Sequence, residues 1–290
     1  LAGFKMPDET VIGEVALRVA DLERSVRFYT GPFGLGLFDR REGLAVLGAD
    51  GQPLLRLTER RDARPKPHSA TGLYHFAVLL PDRAALGRLF LNLVKYGVPI
   101  EGAADHLVSE AIYLRDPDGN GIEIYRDKPR EEWPMAGSEV RMANAPLDFE
   151  GIVAAAGDRP WEGIAPGTRI GHVHLQVSDL GRAERFYCQI MGFNVMQRWR
   201  GALFVSAGGY HHHIGLNVWA SLGRPPAPED SAGLEYFEVV VPSAGDLRAL
   251  AAALDQEGVE FSEVQTDDGR PAIRTYDPDR IGLLFSAQAA

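Results

Sequence analysis

The sequence predicts an α+β protein of four βαβββ modules that curl in pairs into two mixed sheets. Three observations carry this. Residues 12–29 (IGEVALRVADLERSVRFY) and 170–187 (IGHVHLQVSDLGRAERFY) share Ile-Gly, Val, Leu, Val, Asp-Leu, Arg and Arg-Phe-Tyr at one register. Residues 72–81 (GLYHFAVLLP) and 233–242 (GLEYFEVVVP) form a second matched pair. A long connection, 128–168, rich in Pro, Gly and Ala, stands between the halves.

Each copy of the first repeat opens with a β-like stretch. Asp21 or Asp179 then offers a helix N-cap. Leu22, Val26 and Tyr29, or Leu180, Ala183 and Tyr187, follow at helical spacing. Each copy of the second repeat runs from a strand into a helix, over about 82–96 and 244–257, ended by Gly97-Val or Gly258-Val. Both copies reach an Asp-Pro-Asp turn, 116–118 or 277–279, and a last strand. Pro and Gly fix such a turn, so Asp116-Pro-Asp-Gly-Asn120 reads as structural. The modules therefore fall near 10–60, 71–127, 169–220 and 232–287, grouped along the chain as 1–127 and 169–290. The 128–168 linker, with a short helix near 147–156, is longer than most connections inside a compact domain and marks a boundary or spacer. Single modules leave an apolar face uncovered, so modules should pair, and a curled pair encloses a cleft.

Composition narrows the function. The chain has 290 residues, 45% apolar and 24% charged, with a net charge of −10. That balance speaks against nucleic acid and against a polybasic membrane surface. No apolar run reaches the ~18 residues of a membrane span. The single cysteine, Cys188, rules out an intramolecular disulfide and suggests a reducing, cytoplasmic setting. It falls in a helical pattern and reads as packing rather than as a nucleophile.

The chemistry starts at His75, on the strand of Gly72-Leu-Tyr-His-Phe, and Glu123, on the strand after the Asp-Pro-Asp turn. A neutral imidazole and a carboxylate suit Fe(II), Mn(II), Ni(II) or Zn(II). Two ligands need a third. His172 and His174 alternate on one strand and so share a face. His211-His212-His213 is a further concentration of imidazoles, and Tyr113 lies ten residues before Glu123.

With these residues the chain resembles the vicinal oxygen chelate superfamily of glyoxalases, bleomycin-resistance-type binding proteins and extradiol dioxygenases. The resemblance spans nearly the whole chain and is strongest to the catechol 2,3-dioxygenase type. It implies metal ligands on the first strand of one module and on the first and last strands of its partner. His75 and Glu123 match the second pattern; Tyr236 and Leu284 stand at those places in module four. The third ligand depends on pairing. Module one offers Glu14, and module three offers His172. Pairing two with three is preferred, because two histidines and one carboxylate leave open positions for a bidentate substrate and O2. The Glu14 set would suit a glyoxalase-like isomerase or lyase with Ni(II) or Zn(II), although Arg56 lies about where that family carries a carboxylate. A non-catalytic binder of an aromatic compound or antibiotic is the third class.

The resemblance further implies Fe(II), with Mn(II) as the alternative, a catecholic substrate with O2, and a homo-oligomer. It gives Tyr113 a hydroxyl role toward substrate oxygen and gives His212 or His213 the acid/base role, with His106 as rival. His174, Tyr210, Trp219, Tyr236 and Phe76 are expected to wall the cleft.

Overall fold

A computed structural model describes residues 3–137 and 139–289. Module one comprises β1 (Val11–Val19), α1 (Leu22–Thr30), β2 (Gly36–Arg41), β3 (Leu44–Ala49) and β4 (Gln52–Glu59). Module two comprises β5 (Gly72–Leu79), α2 (Arg83–Lys95), β6 (Ile100–Asp105), β7 (Ser109–Arg115) and β8 (Gly121–Asp127). The connection carries a small hairpin, β9 (Met135–Ala136) and β10 (Glu139–Val140), then α3 (Phe149–Ala156). Module three holds β11 (Arg169–Gln176), α4 (Leu180–Glu184), which widens into a π turn over Arg185–Ile190, β12 (Asn194–Trp199), β13 (Ala202–Ser206) and β14 (Ile214–Asn217). Module four holds β15 (Gly233–Val241), α5 (Ala244–Gln256), β16 (Phe261–Gln265), β17 (Pro271–Tyr276) and β18 (Gly282–Ala287).

The strands form two eight-stranded mixed sheets. One runs β16-β17-β18-β15-β1-β4-β3-β2 and the other β12-β13-β14-β11-β5-β8-β7-β6. Modules one and four therefore share a sheet, and modules two and three share the other. Each seam is antiparallel, β1 with β15 and β11 with β5. The sequence halves 1–127 and 169–290 are thus not the sheet units; each half supplies one module to each sheet.

Modules adjacent in sequence are held by a different device. Tyr29 donates to the Asp116 carboxylate at 2.9 Å, and Tyr187 donates to Asp277 at 3.1 Å. Asp118 accepts from the Ala20 N–H and the Ser25 hydroxyl, and Asp279 accepts from the Ser178 N–H and hydroxyl. The two recurring motifs, Arg-Phe-Tyr and Asp-Pro-Asp, therefore meet each other. Asp21 and Asp179 cap their helices by accepting from the N–H of Arg24 and Arg182.

Alternation along the central strands sends Val15, Leu17, Phe76, Val173, Leu175 and Phe237 into one apolar core that joins both sheets. Phe76, expected to wall the cleft, is wholly buried in this core. It follows His75 directly and so takes the opposite face of β5. The helix expected near 147–156 is α3, and the rest of the connection is more ordered than a spacer. α3 packs on α2 so closely that a side chain at Gly87 would strike the Ile152 carbonyl. Among the described residues no helix is long and apolar enough to cross a membrane.

Candidate metal centre

The seam of β11 with β5 brings three donor side chains together. One ligand atom each from His75, Glu123 and His172 lie within 4.8 Å of one another, and all three residues are buried. Strand register makes this possible. On β5, Ala77 pairs with Glu123 of parallel β8, and on β11, His172 pairs with the same Ala77. His172 Nε2 lies 3.2 Å from Glu123 Oε2 and His75 Nε2 lies 3.0 Å from it. The His75 contact lacks hydrogen-bond geometry, which leaves its buried Nε2 without a partner.

The electrostatics leave this group short of positive charge. Burial takes His172 down to about 4, so its imidazole is neutral near pH 7. Burial pushes Glu123 upward, and the adjacent His172 and His75 outweigh it and hold the carboxyl well below the usual range. A buried carboxylate whose nearest partners are imidazoles, one of them the neutral His172, is costly without a full counter-charge. A divalent cation would supply one, and the donor set of two imidazoles and one carboxylate fits a first-row transition metal.

Beside this group opens a cleft of about 480 Å³, lined in part by His75, His106, Tyr113, Glu123, His174 and His212. His106 Nε2 is 2.6 Å from the Tyr113 hydroxyl, and its Nδ1 is 3.0 Å from the Ala143 carbonyl. The carbonyl can only accept, so Nδ1 carries the proton and, in the neutral ring, Tyr113 donates to Nε2. Burial, then the Glu123 carboxylate, raise Tyr113 well above the ordinary tyrosine range and keep it protonated.

The histidine triplet separates into three roles. All three residues lie in the loop before β14 rather than on a strand, so strand alternation does not govern them. His211 Nε2 is 2.9 Å from Asp127 Oδ1, which can only accept while ionised. His211 Nδ1 is 2.9 Å from His212 Nδ1. With both rings neutral, His212 donates from Nδ1 and keeps Nε2 bare. The His212 ring lies 4.0 Å from the His172 ring and lines the cleft. Burial and then the neighbouring imidazoles lower its basicity well below the ordinary range. His213 does not line the cleft. Its Nδ1 accepts from the Ala207 N–H at 3.2 Å and sits 3.0 Å from the Ser206 hydroxyl, and burial takes it down to about 3.

Other expected wall residues divide. His174 and Trp219 line the cleft. Tyr210 does not; it donates to Asp127 at 3.0 Å, contacts the Tyr125 hydroxyl at 2.7 Å and stacks on His211. Tyr236 lies in the other sheet, where it donates to Glu14 at 2.6 Å. Glu14 is there too, paired with Arg56 at 2.9 Å, so it does not join His75 and Glu123. Cys188 is packed as expected, and burial raises its thiol to about 12.

Sequence reasoning missed Asp127, although it follows Glu123 by four on one strand and so shares its face. It also missed Tyr74, Trp199 and Phe204 in the lining, and Met142 and Asn144 from the connection.

Two curled mixed sheets with a buried His-His-Glu group at a module seam define a class of metal-dependent and ligand-binding proteins. The chain belongs to the Glyoxalase/Bleomycin resistance protein/Dioxygenase superfamily, which it matches over residues 11–124 and 169–285. Within that class it is 44% identical to a catechol-2,3-dioxygenase of Bacillus subtilis over 277 residues, covering 93% of this chain and 95% of that protein. Two solved structures share the fold. One, from Bacillus subtilis and provisionally described as a dioxygenase, covers 100% of this chain and 87% of its own at 15% identity and a TM-score of 0.69. The other is glyoxalase I from Zea mays, with coverage of 96% and 92%, 16% identity and a TM-score of 0.58.

Proposed function

We propose that this protein is an extradiol dioxygenase that opens a catechol ring next to the diol, using a metal held by His75, His172 and Glu123. The observation that carries the reading is the convergence of those three side chains at the edge of a cleft that also holds His212, Tyr113 and His106. The catechol-2,3-dioxygenase similarity over most of both chains supports the same reaction class. When bound by His75, His172 and Glu123, Fe(II), or Mn(II) in its place, would supply Lewis-acid and redox chemistry toward the catechol and O2.

The chain's own residues do the rest. His212 Nε2 is the base that receives a catechol proton. His211 and Asp127 hold His212 in the tautomer with Nε2 bare, so the lone pair needed to accept a proton faces the cleft. Tyr113, held by His106, presents its oxygen lone pairs to a catechol hydroxyl and orients the ring. Ala143 fixes the His106 tautomer from outside the sheet. Trp219, Tyr74 and Phe204 offer apolar faces to the planar substrate. The substrate is a small catecholic molecule taken with O2, the setting is cytoplasmic, and the assembly is a homo-oligomer.

The test is anaerobic loading with Fe(II), addition of catechol, then admission of air. The expected result is stoichiometric O2 uptake with a yellow ring-opened semialdehyde. No uptake with a panel of catechols, together with tight Ni(II) binding, contradicts the reading and leaves the isomerase class.

A further inference from the structure

His174 stands out among the cleft imidazoles. It is 4% exposed and lines the cleft, yet neither ring nitrogen makes a hydrogen bond within the described residues, and its enclosed Nε2 has no partner. His106, His211 and His212 each have a polar partner through a ring nitrogen. His75 and His172 face Glu123. The His174 ring sits edge-on to the His75 ring, centroids 5.0 Å apart, and among Tyr74, Trp219 and Phe204, at 5.2, 5.5 and 5.6 Å. A buried polar group without a partner carries a desolvation cost that an apolar residue would avoid.

The fold does not require a histidine here. Strand register makes Ala16 of module one the counterpart of His174, and Arg56 the counterpart of Gly215, since Ala16 pairs with Arg56 and His174 with Gly215. In the histidine cleft the pair is reversed in size. A Cβ at Gly215 would come within 2.9 Å of the His174 ring, so glycine clears the space that the imidazole fills. Room has been made for this ring, beside a group it does not join.

Resting on the dioxygenase reading above, we propose that His174 is a specificity residue, whose free ring nitrogen hydrogen-bonds an uncharged polar substituent on the catechol ring. The cleft is larger than a bare catechol needs and falls in the range that holds substituted ligands. An alkyl substituent would leave His174 unpaired. A carboxylate substituent would need a cation, and the arginine in the cleft lining, Arg115, is already engaged with Glu101 at 2.7 Å and with the Gly119 carbonyl. A hydroxyl or hydroxymethyl group, packed beside Trp219 and Tyr74, meets both conditions.

The test uses isosteric hydroxymethyl and ethyl catechols, with bare catechol as reference, on the iron-loaded protein and on His174→Phe and His174→Asn. Iron content is measured first, anaerobic binding is followed through tryptophan fluorescence, and turnover through O2 uptake. The wild type should favour the hydroxymethyl over the ethyl compound by about tenfold or more in both binding and kcat/KM, as expected when a site is built to pair a hydroxyl. His174→Phe should keep its iron while reversing the hydroxymethyl-over-ethyl preference in anaerobic binding, whatever its turnover of bare catechol; His174→Asn should retain part of the preference. Equal affinity for the two compounds in the wild type overturns the proposal without help from any variant. Loss of iron in both variants overturns it in favour of a ligand role. Absence of turnover with bare catechol in the wild type defeats the dioxygenase reading itself, while the binding ratio still decides the role of His174.

Discussion

The two sheets are built from the same parts and carry opposite chemistry. Their seams match residue for residue, so His172 corresponds to Glu14, His75 to Tyr236, and Glu123 to Leu284. The second cleft, about 920 Å³ in volume, is lined by Glu14, Arg56, Tyr236, Glu238 and Arg270 among others. There the Arg56 guanidinium supplies the positive charge: it holds Glu14 at 2.9 Å and Asp267 at 2.7 Å, and Tyr236 completes the Glu14 carboxylate. Glu238 is likewise satisfied, by Ser286 and Arg270. Of the eight histidines, seven lie in modules two and three, none in one and four, and His68 sits on the connection between one and two. One cleft neutralises its buried carboxylates from within the protein. The other sets Glu123 between His75 and His172 with no arginine or lysine among the described residues against it, a carboxylate that a bound cation would balance. Scaffold and chemistry are separable here: the shared motifs hold modules together, and the residues that differ decide what each cleft does.

The largest expected effect breaks the comparison at the donors. His75→Ala, Glu123→Ala and His172→Ala should each abolish iron retention and reduce turnover to background. Glu14→Ala should change neither, as judged by metal analysis and O2 uptake. Next comes the base. His212→Asn should keep iron and lower kcat by about 10²–10⁴, whereas His213→Gln should change kcat little, since its ring is engaged by Ser206 and Ala207. In the other sheet, Arg56→Met leaves a buried Glu14 uncompensated. It should lower unfolding free energy by about 1–3 kcal/mol, seen as a lower denaturant midpoint, with iron content unchanged.

The smallest effect concerns acid. His213 stays neutral in the folded protein down to about 3, whereas an unfolded histidine takes its proton near about 6.5. The unfolded state therefore binds the extra proton first. This contribution to stability is intact above about 6.5 and is lost progressively as pH falls toward 3. His213→Gln should flatten that part of the melting-temperature profile.

Much of this was legible in the sequence, for identifiable reasons. The repeats show because the same Asp caps, Arg-Phe-Tyr ends and Asp-Pro-Asp turns are needed in each half. The meeting of Tyr29 with Asp116 was not visible, because it joins two motifs 87 residues apart. His75 and Glu123 stand out by residue type and place, and the preference for His172 over Glu14 follows from ligand chemistry. The walls were harder. Tyr236 belongs to module four, so the same pairing that brings in His172 sends it to the other cleft. Phe76 fails by alternation, and Tyr210 turns back to Asp127. The 128–168 stretch reads as a spacer because its contributions are backbone and packing: the Ala143 carbonyl on His106, Met142 and Asn144 in the lining, Trp133 against His211.

The central claim is that one cleft holds a metal across modules two and three, while its structural twin holds an arginine instead. An anomalous difference map from crystals loaded with Fe(II) tests it directly. The account predicts one strong peak, within about 2.0–2.2 Å of a nitrogen of His75, a nitrogen of His172 and an oxygen of Glu123, and no peak beside Arg56. A peak bound through Glu14, or iron retained with His172 uncoordinated, would contradict it.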